Sequence, residues 1–323
     1  MKIIINVLAL FLFSNLFAKE NSTWIKSTYF RGYDPITKKL HSTKDVEQLA
    51  ERLKTNNIKY AYIFAGPYQK DGHLPDYTFS KKAKENIAIF KRIYPEVKIL
   101  PWIGGVQNKT VYLERKEWVK NAITDTVKLI KMMPIDGIHL DLEYVLYSGA
   151  KFNYDKLSAE DYSKQWVLFH KELRLALPES FISSVAVSIA LGTKPWKHKH
   201  TLNEIKETSS FVDQISFMFY ETSLMNLKDY DDNLKEQIIM IKELKNVPTN
   251  RSQYLIGLGI FNEEANLKTY RDLGFKNLPL PLGLLQKIEN STGQKEDVVD
   301  GFAIFCEWMT TEQEWRELRT YLK

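Results

Sequence analysis

Eight apolar, strand-like runs alternate with eight amphipathic helical stretches from Trp24 to the C-terminus, and this strict alternation limits the possible folds more than any other feature of the 323-residue chain. The strand-like runs lie near 24–30, 59–66, 97–103, 136–143, 183–190, 213–220, 253–260 and 300–306. Helical patterns lie near 43–55, 81–94, 112–132, 159–176, 202–208, 231–245, 281–290 and 311–321. Ser42-Thr43, Ser158 with Asp161, and Thr310-Thr311 with Glu314 read as helix starts, whereas Pro95, Pro134, Pro178 and Pro248 read as stops. A strand that is always followed by a helix needs a crossover to reach the next strand, so neighbouring strands pair in parallel. Eight such units close into one α/β domain, a (β/α)8 TIM barrel. An open doubly wound sheet is the alternative, but no Gly-x-Gly-x-x-Gly turn follows the first strand, which ends Phe30-Arg-Gly-Tyr-Asp-Pro35.

Residues 1–18 stand apart from this pattern. Met1-Lys2, an apolar run from Ile3 to Phe17, and Ala18 fit a secretory signal peptide cleaved after Ala18, with an uncleaved N-terminal anchor as the alternative. The run is short for a membrane span and polar sequence follows it at once, so no stable membrane insertion is expected after cleavage. The barrel domain is then 19–323, secreted or periplasmic. Cys306 is the single cysteine, so no intrachain disulfide forms, and it reads as a small core residue. The formal charge of +5 is dispersed, and no basic stripe is interleaved with stacking aromatics, which argues against a nucleic-acid partner.

One strand carries chemistry on its face. In Asp136-Gly-Ile-His-Leu-Asp-Leu-Glu143 the aliphatic residues Ile138, Leu140 and Leu142 share one side, and His139, Asp141 and Glu143 share the other. Ionisable groups on the inner face of a core strand are costly to bury and persist where they perform chemistry. Reacting groups of such barrels sit at the C-terminal ends of the strands, which places Glu143 at the rim, Asp141 one step deeper and His139 below it. Asp136 faces the other way and is expected to tie the strand to its preceding loop.

This segment resembles the Asp-x-x-Asp-x-Asp-x-Glu signature of glycoside hydrolase family 18, the chitinase-like family. Trp102-Ile-Gly-Gly105 is similar to the family's Ser-x-Gly-Gly on strand three, and Gln214-Ile-Ser-Phe-Met218-Phe-Tyr220-Glu221 to its Gln…Met-x-Tyr-Asp on strand six. Gly301-Phe-Ala-Ile-Phe305-Cys-Glu-Trp308 falls where the family places a tryptophan floor. The chain departs from the family at His139 for the middle aspartate, Trp102 for the serine, Glu221 for the aspartate after the tyrosine, and Phe305 at the floor position.

The resemblance implies hydrolysis of a β-glycosidic bond beside an N-acetylhexosamine by a substrate-assisted, retaining route that needs no cofactor. Glu143 would be the general acid and then the base, Asp141 would accept from the acetamido N–H, and Tyr220 would hold the acetamido oxygen. His139 would donate a hydrogen bond to Asp141 in place of the family's proton-sharing aspartate. Met218 and Glu221 would support the site, with Trp308, Trp102, Tyr144 and Tyr147 as sugar platforms. The segment from Asn262 to Leu280 is too short for the α+β domain that deepens the cleft of many chitinases, so the barrel is expected without a large α+β insertion and with an open groove.

Two further readings stand beside this one. A non-catalytic, lectin-like barrel is disfavoured by retention of Glu143, and a two-carboxylate hydrolase would use Glu221 as its second carboxylate. Metal ligation lacks support, because the close pair His198 and His200 has no cysteine or carboxylate cluster to complete it.

Overall fold

The computed structural model describes residues 19–144, 159–186, 200–218, 227–248, 250–260 and 298–320. Eight parallel strands close on themselves in chain order: β1 (Ser22–Ile25), β2 (Tyr60–Pro67), β3 (Lys98–Val106), β4 (Gly137–Glu143), β5 (Phe181–Ala186), β6 (Gln214–Phe217), β7 (Gln253–Gly259) and β8 (Gly301–Phe305). Closure is made by β1 against β8, with Ser22 opposite Ala303. The helices described are α1 (Thr43–Thr55), α2 (Lys81–Ile93), α3 (Lys116–Met132), α4 (Ala159–Ala176), α5 (Leu202–Thr208), α6 (Leu227–Lys245) and α7 (Glu312–Leu318). This is a (β/α)8 TIM barrel. Residues 1–18, Ser158, the helix expected near 281–290 and the 262–280 segment lie outside the described residues.

Local chemistry starts α1 and α7 and stops four helices where the sequence indicates, whereas α6 begins at Leu227 rather than near 231. Ser42 accepts from the Asp45 N–H while the Asp45 carboxylate accepts from the Ser42 N–H, and Thr311 with Glu314 repeats the arrangement at α7. Thr201 and Glu204 form a third such box at α5. Helices α2, α3, α4 and α6 each end within three residues of a proline.

The first strand is a correction. It ends at Ile25 rather than near residue 30, and Thr28–Arg31 forms a short helical turn. Thr28, Tyr29 and Phe30 are all buried, which a half-buried strand does not allow but a packed turn does. Gly32, at φ 80°, closes the turn by donating its N–H to the Thr28 carbonyl. Helix α3 begins at Lys116 rather than 112, after a turn in which Arg115 stacks 3.7 Å from the Tyr112 ring centre.

The barrel wall has two unlike faces. Outward residues such as Ile138, Leu140 and Leu142 are buried in the layer between strands and helices. The inward face carries aromatic and polar residues. At the N-terminal end Tyr60 stacks on Phe181 at 5.3 Å and donates to Glu20 at 2.6 Å. One layer up, Trp24, Tyr62, His139, Ser183 and Gln214 fill the interior. Strands β3 and β4 approach closely because Gly104, at φ 152°, lies opposite Asp141. A Cβ there would fall 2.0 Å from the Asp141 carbonyl oxygen. Gly104→Ala is therefore expected to destabilise the protein by about 3 kcal/mol or more, combining overpacking with backbone strain. Urea unfolding measures this, and a loss below about 1 kcal/mol would contradict the close β3–β4 contact.

Candidate active site

The inner face of β4 delivers His139, Asp141 and Glu143 at three depths, and each has a different environment. His139 is fully buried, and its ring lies parallel to Tyr62 with centroids 3.6 Å apart. Its Nε2 accepts from the Trp24 indole N–H at 3.0 Å. An indole nitrogen only donates, so His139 is neutral and carries its proton on Nδ1. Nδ1–H then donates to Ser183 Oγ at 2.8 Å, and Ser183 passes its hydroxyl proton toward Gln214 Oε1 at 2.9 Å. Tyr62 donates to the same Gln214 oxygen. Burial holds the imidazole well below its usual range, in agreement with this tautomer.

The expected hydrogen bond from His139 to Asp141 is thereby corrected: both ring nitrogens are engaged with Trp24 and Ser183. Asp141 takes its donor from β3 instead. The Trp102 indole N–H donates to Asp141 Oδ2 at 2.8 Å, while Oδ1 is buried with no hydrogen-bond partner among the described residues. Burial pushes the Asp141 carboxyl up to about 6, against the opposing pull of the Trp102 hydrogen bond. Glu143 ends the strand half-buried, and its backbone carbonyl accepts from the Gln107 N–H at 2.9 Å.

The barrel mouth is lined by aromatics. Phe64 on β2, Trp102 on β3, Phe305 at the end of β8 and Trp308 just beyond it are half-exposed where deeper inward residues are buried. Trp102 meets Phe64 edge-on at 4.7 Å and Phe305 at 6.4 Å, and Phe305 meets Trp308 at 5.8 Å. Phe64 is absent from the sequence-derived site, although the spacing Tyr60, Tyr62, Phe64 puts it on the inner face. Trp24 and Ser183 were equally missed, because the pairing of β5 with β4 and the closure that faces β1 toward β4 are not local signals.

Tyr144 is a second correction. As an even-numbered residue of the strand's continuation it points outward, is 5% exposed, and donates to Glu204 beside His200. It offers no ring face to a glycan. Asp136 sits at the opposite end from the mouth, accepting from the Ile99 N–H at 2.7 Å and pairing with Lys91 at 2.6 Å. Met218 is buried just past β6, donating its N–H to the Ala186 carbonyl at 2.8 Å. Tyr220, Glu221 and Tyr147 lie outside the described residues.

A closed (β/α)8 barrel with a carboxylate pair at the C-terminal end of β4 and an aromatic mouth has the organisation of a glycosidase. The model of Glycosyl hydrolases family 18 matches residues 29–314, and the chain belongs to that family. Solved structures with the same fold include the Ostrinia furnacalis Group IV chitinase in complex with allosamidin (11% identity, TM-score 0.64, 94% of this chain and 98% of that one). The Bacillus cereus spore cortex-lytic enzyme SleL is similar at 12% identity and TM-score 0.61, over 94% of this chain and 74% of that one. The Cycas revoluta chitinase in complex with (GlcNAc)3 is similar at 10% identity and TM-score 0.62, over 94% and 99%. No curated protein matches the chain by sequence.

The neutral, buried His139 has a measurable consequence. Its folded-state pKa lies below that of the unfolded chain, so its stability contribution is complete above about pH 6.5 and is lost as pH falls below it. Gln in its place can accept from Trp24 and donate to Ser183 without titrating. The stability advantage of the native chain over His139→Gln should shrink by up to about 1.4 kcal/mol per pH unit below pH 6.5. Urea unfolding across pH tests this, and a pH-independent difference would contradict a neutral His139.

Proposed function

We propose that this family 18 chain is an exported glycosidase that cleaves the β-glycosidic bond next to an N-acetylhexosamine with retention, using the substrate's own acetamido group as nucleophile. The observation that carries the reading is the pairing of a half-exposed Glu143 at the barrel mouth with a buried Asp141 whose free oxygen is unpartnered among the described residues. Glu143 protonates the leaving oxygen as the acetamido oxygen attacks the anomeric carbon, then removes a proton from the water that opens the resulting ring. Asp141 accepts from the acetamido N–H and turns the carbonyl oxygen toward that carbon, a proximity effect. Tyr220 is assigned to the acetamido oxygen.

The mouth supports an acetamido-sugar substrate. Phe64, Phe305 and Trp308 offer apolar faces suited to sugar rings, and chitin-like polymers of N-acetylglucosamine fit the acetamido requirement. Peptidoglycan carries the same acetamido sugar. The apolar run Ile3–Phe17 supports export to where such polymers occur.

A hydrolysis panel of chitin oligomers and peptidoglycan tests the assignment, with Glu143→Gln as the comparison. The variant should lose about 10²–10⁴-fold in kcat with its fold intact. Full activity in Glu143→Gln would refute the acid assignment, and binding without turnover by the native chain would favour the lectin-like reading.

A further inference from the structure

We infer that Trp102 is a positioning residue for Asp141: its indole N–H fixes one carboxylate oxygen and leaves the other to accept an amide N–H from a ligand in the barrel mouth. The inference rests on the glycosidase reading for the identity of that ligand. The geometry comes from three observations. Trp102 Nε1 lies 2.8 Å from Asp141 Oδ2. Asp141 Oδ1 is buried and without a partner among the described residues, so a donor brought by a ligand removes an uncompensated cost. The indole is itself held edge-on by Phe64 at 4.7 Å and Phe305 at 6.4 Å, which sets the direction of its N–H.

An indole differs from a hydroxyl or a second carboxyl as an anchor because it can only donate. It cannot share a proton with Asp141 or reverse the sense of the hydrogen bond when that group titrates. It therefore favours the ionised carboxylate in one orientation. Among the described residues no competing donor comes from below, since His139 is committed to Trp24 and Ser183. The titratable groups nearest Asp141 on the described inner face are Glu143 and His139 on its own strand and Tyr62 on β2. The inward residues Trp24 of β1, Phe64 of β2, Trp102 of β3, Ser183 and Val185 of β5, and Phe305 of β8 carry no charge. Trp102 is thus the described group that opposes the effect of burial on Asp141.

The test uses the full chain labelled with 15N at its indoles. The Trp102 N–H resonance, identified by its loss in Trp102→Phe, should titrate with a midpoint near 6 and stop titrating in Asp141→Asn. A resonance unchanged from about pH 4 to about pH 8 would overturn the proposal. In hydrolysis of an N-acetylglucosamine tetramer, Trp102→Phe should move the acidic limb of kcat/KM upward by about one pH unit. That is a loss of about tenfold at pH 5 and a much smaller one at pH 8. An equal loss at every pH would mean that the ring serves only as a sugar platform, and would overturn the positioning role. A titrating indole in a protein that turns over no acetamido sugar would support the anchoring of Asp141 and overturn the glycosidase reading alone.

Discussion

Closing eight parallel strands into a barrel forces alternate residues of every strand into one narrow interior, and the molecule's chemistry follows from how that interior is kept satisfied. Strand β4 sends a histidine, an aspartate and a glutamate inward, and a buried polar group without a partner is costly. At the depth of His139 the cost is met by Trp24, Ser183 and Gln214 from three other strands. At the depth of Asp141 it is met, among the described residues, on one oxygen only, by Trp102. Among the described residues His139 is fully engaged and Asp141 is not, and reactivity is assigned from Asp141 outward.

The same closure separates stability from function by residue parity. The outward side of β4 is aliphatic and continues into Tyr144, whose hydroxyl is bound to Glu204 behind the wall. Asp136 braces the strand's start against β3. Neither reaches the mouth, where Phe64, Trp102, Phe305 and Trp308 meet one another and Trp102 holds Asp141. The glycines of Trp102-Ile-Gly-Gly105 join the two roles, since the absence of a side chain at Gly104 lets β3 approach β4 at Asp141.

Much of this was legible in the sequence, and for identifiable reasons. Helix boundaries were set by side chains acting on their own backbone, such as Ser42 with Asp45, and these signals are local. The inward order His139, Asp141, Glu143 followed from strand periodicity alone. What could not be read were partnerships across the barrel. Nothing local in the β3 segment tells whether the Trp102 indole faces a sugar or a carboxylate. The neutrality of His139 depends on a tryptophan 115 residues away. Tyr144 has the aromatic character of a sugar platform, but its even position on the strand turns it outward.

The proposed catalysis depends on a buried carboxylate that accepts an acetamido N–H, and binding of a thiazoline analogue of N-acetylglucosamine tests it most directly. Calorimetry should show saturable binding to the native chain, with release of the analogue's affinity in Asp141→Asn. Absence of binding by the native chain, together with equal hydrolysis of glycans that lack acetamido groups, would contradict it.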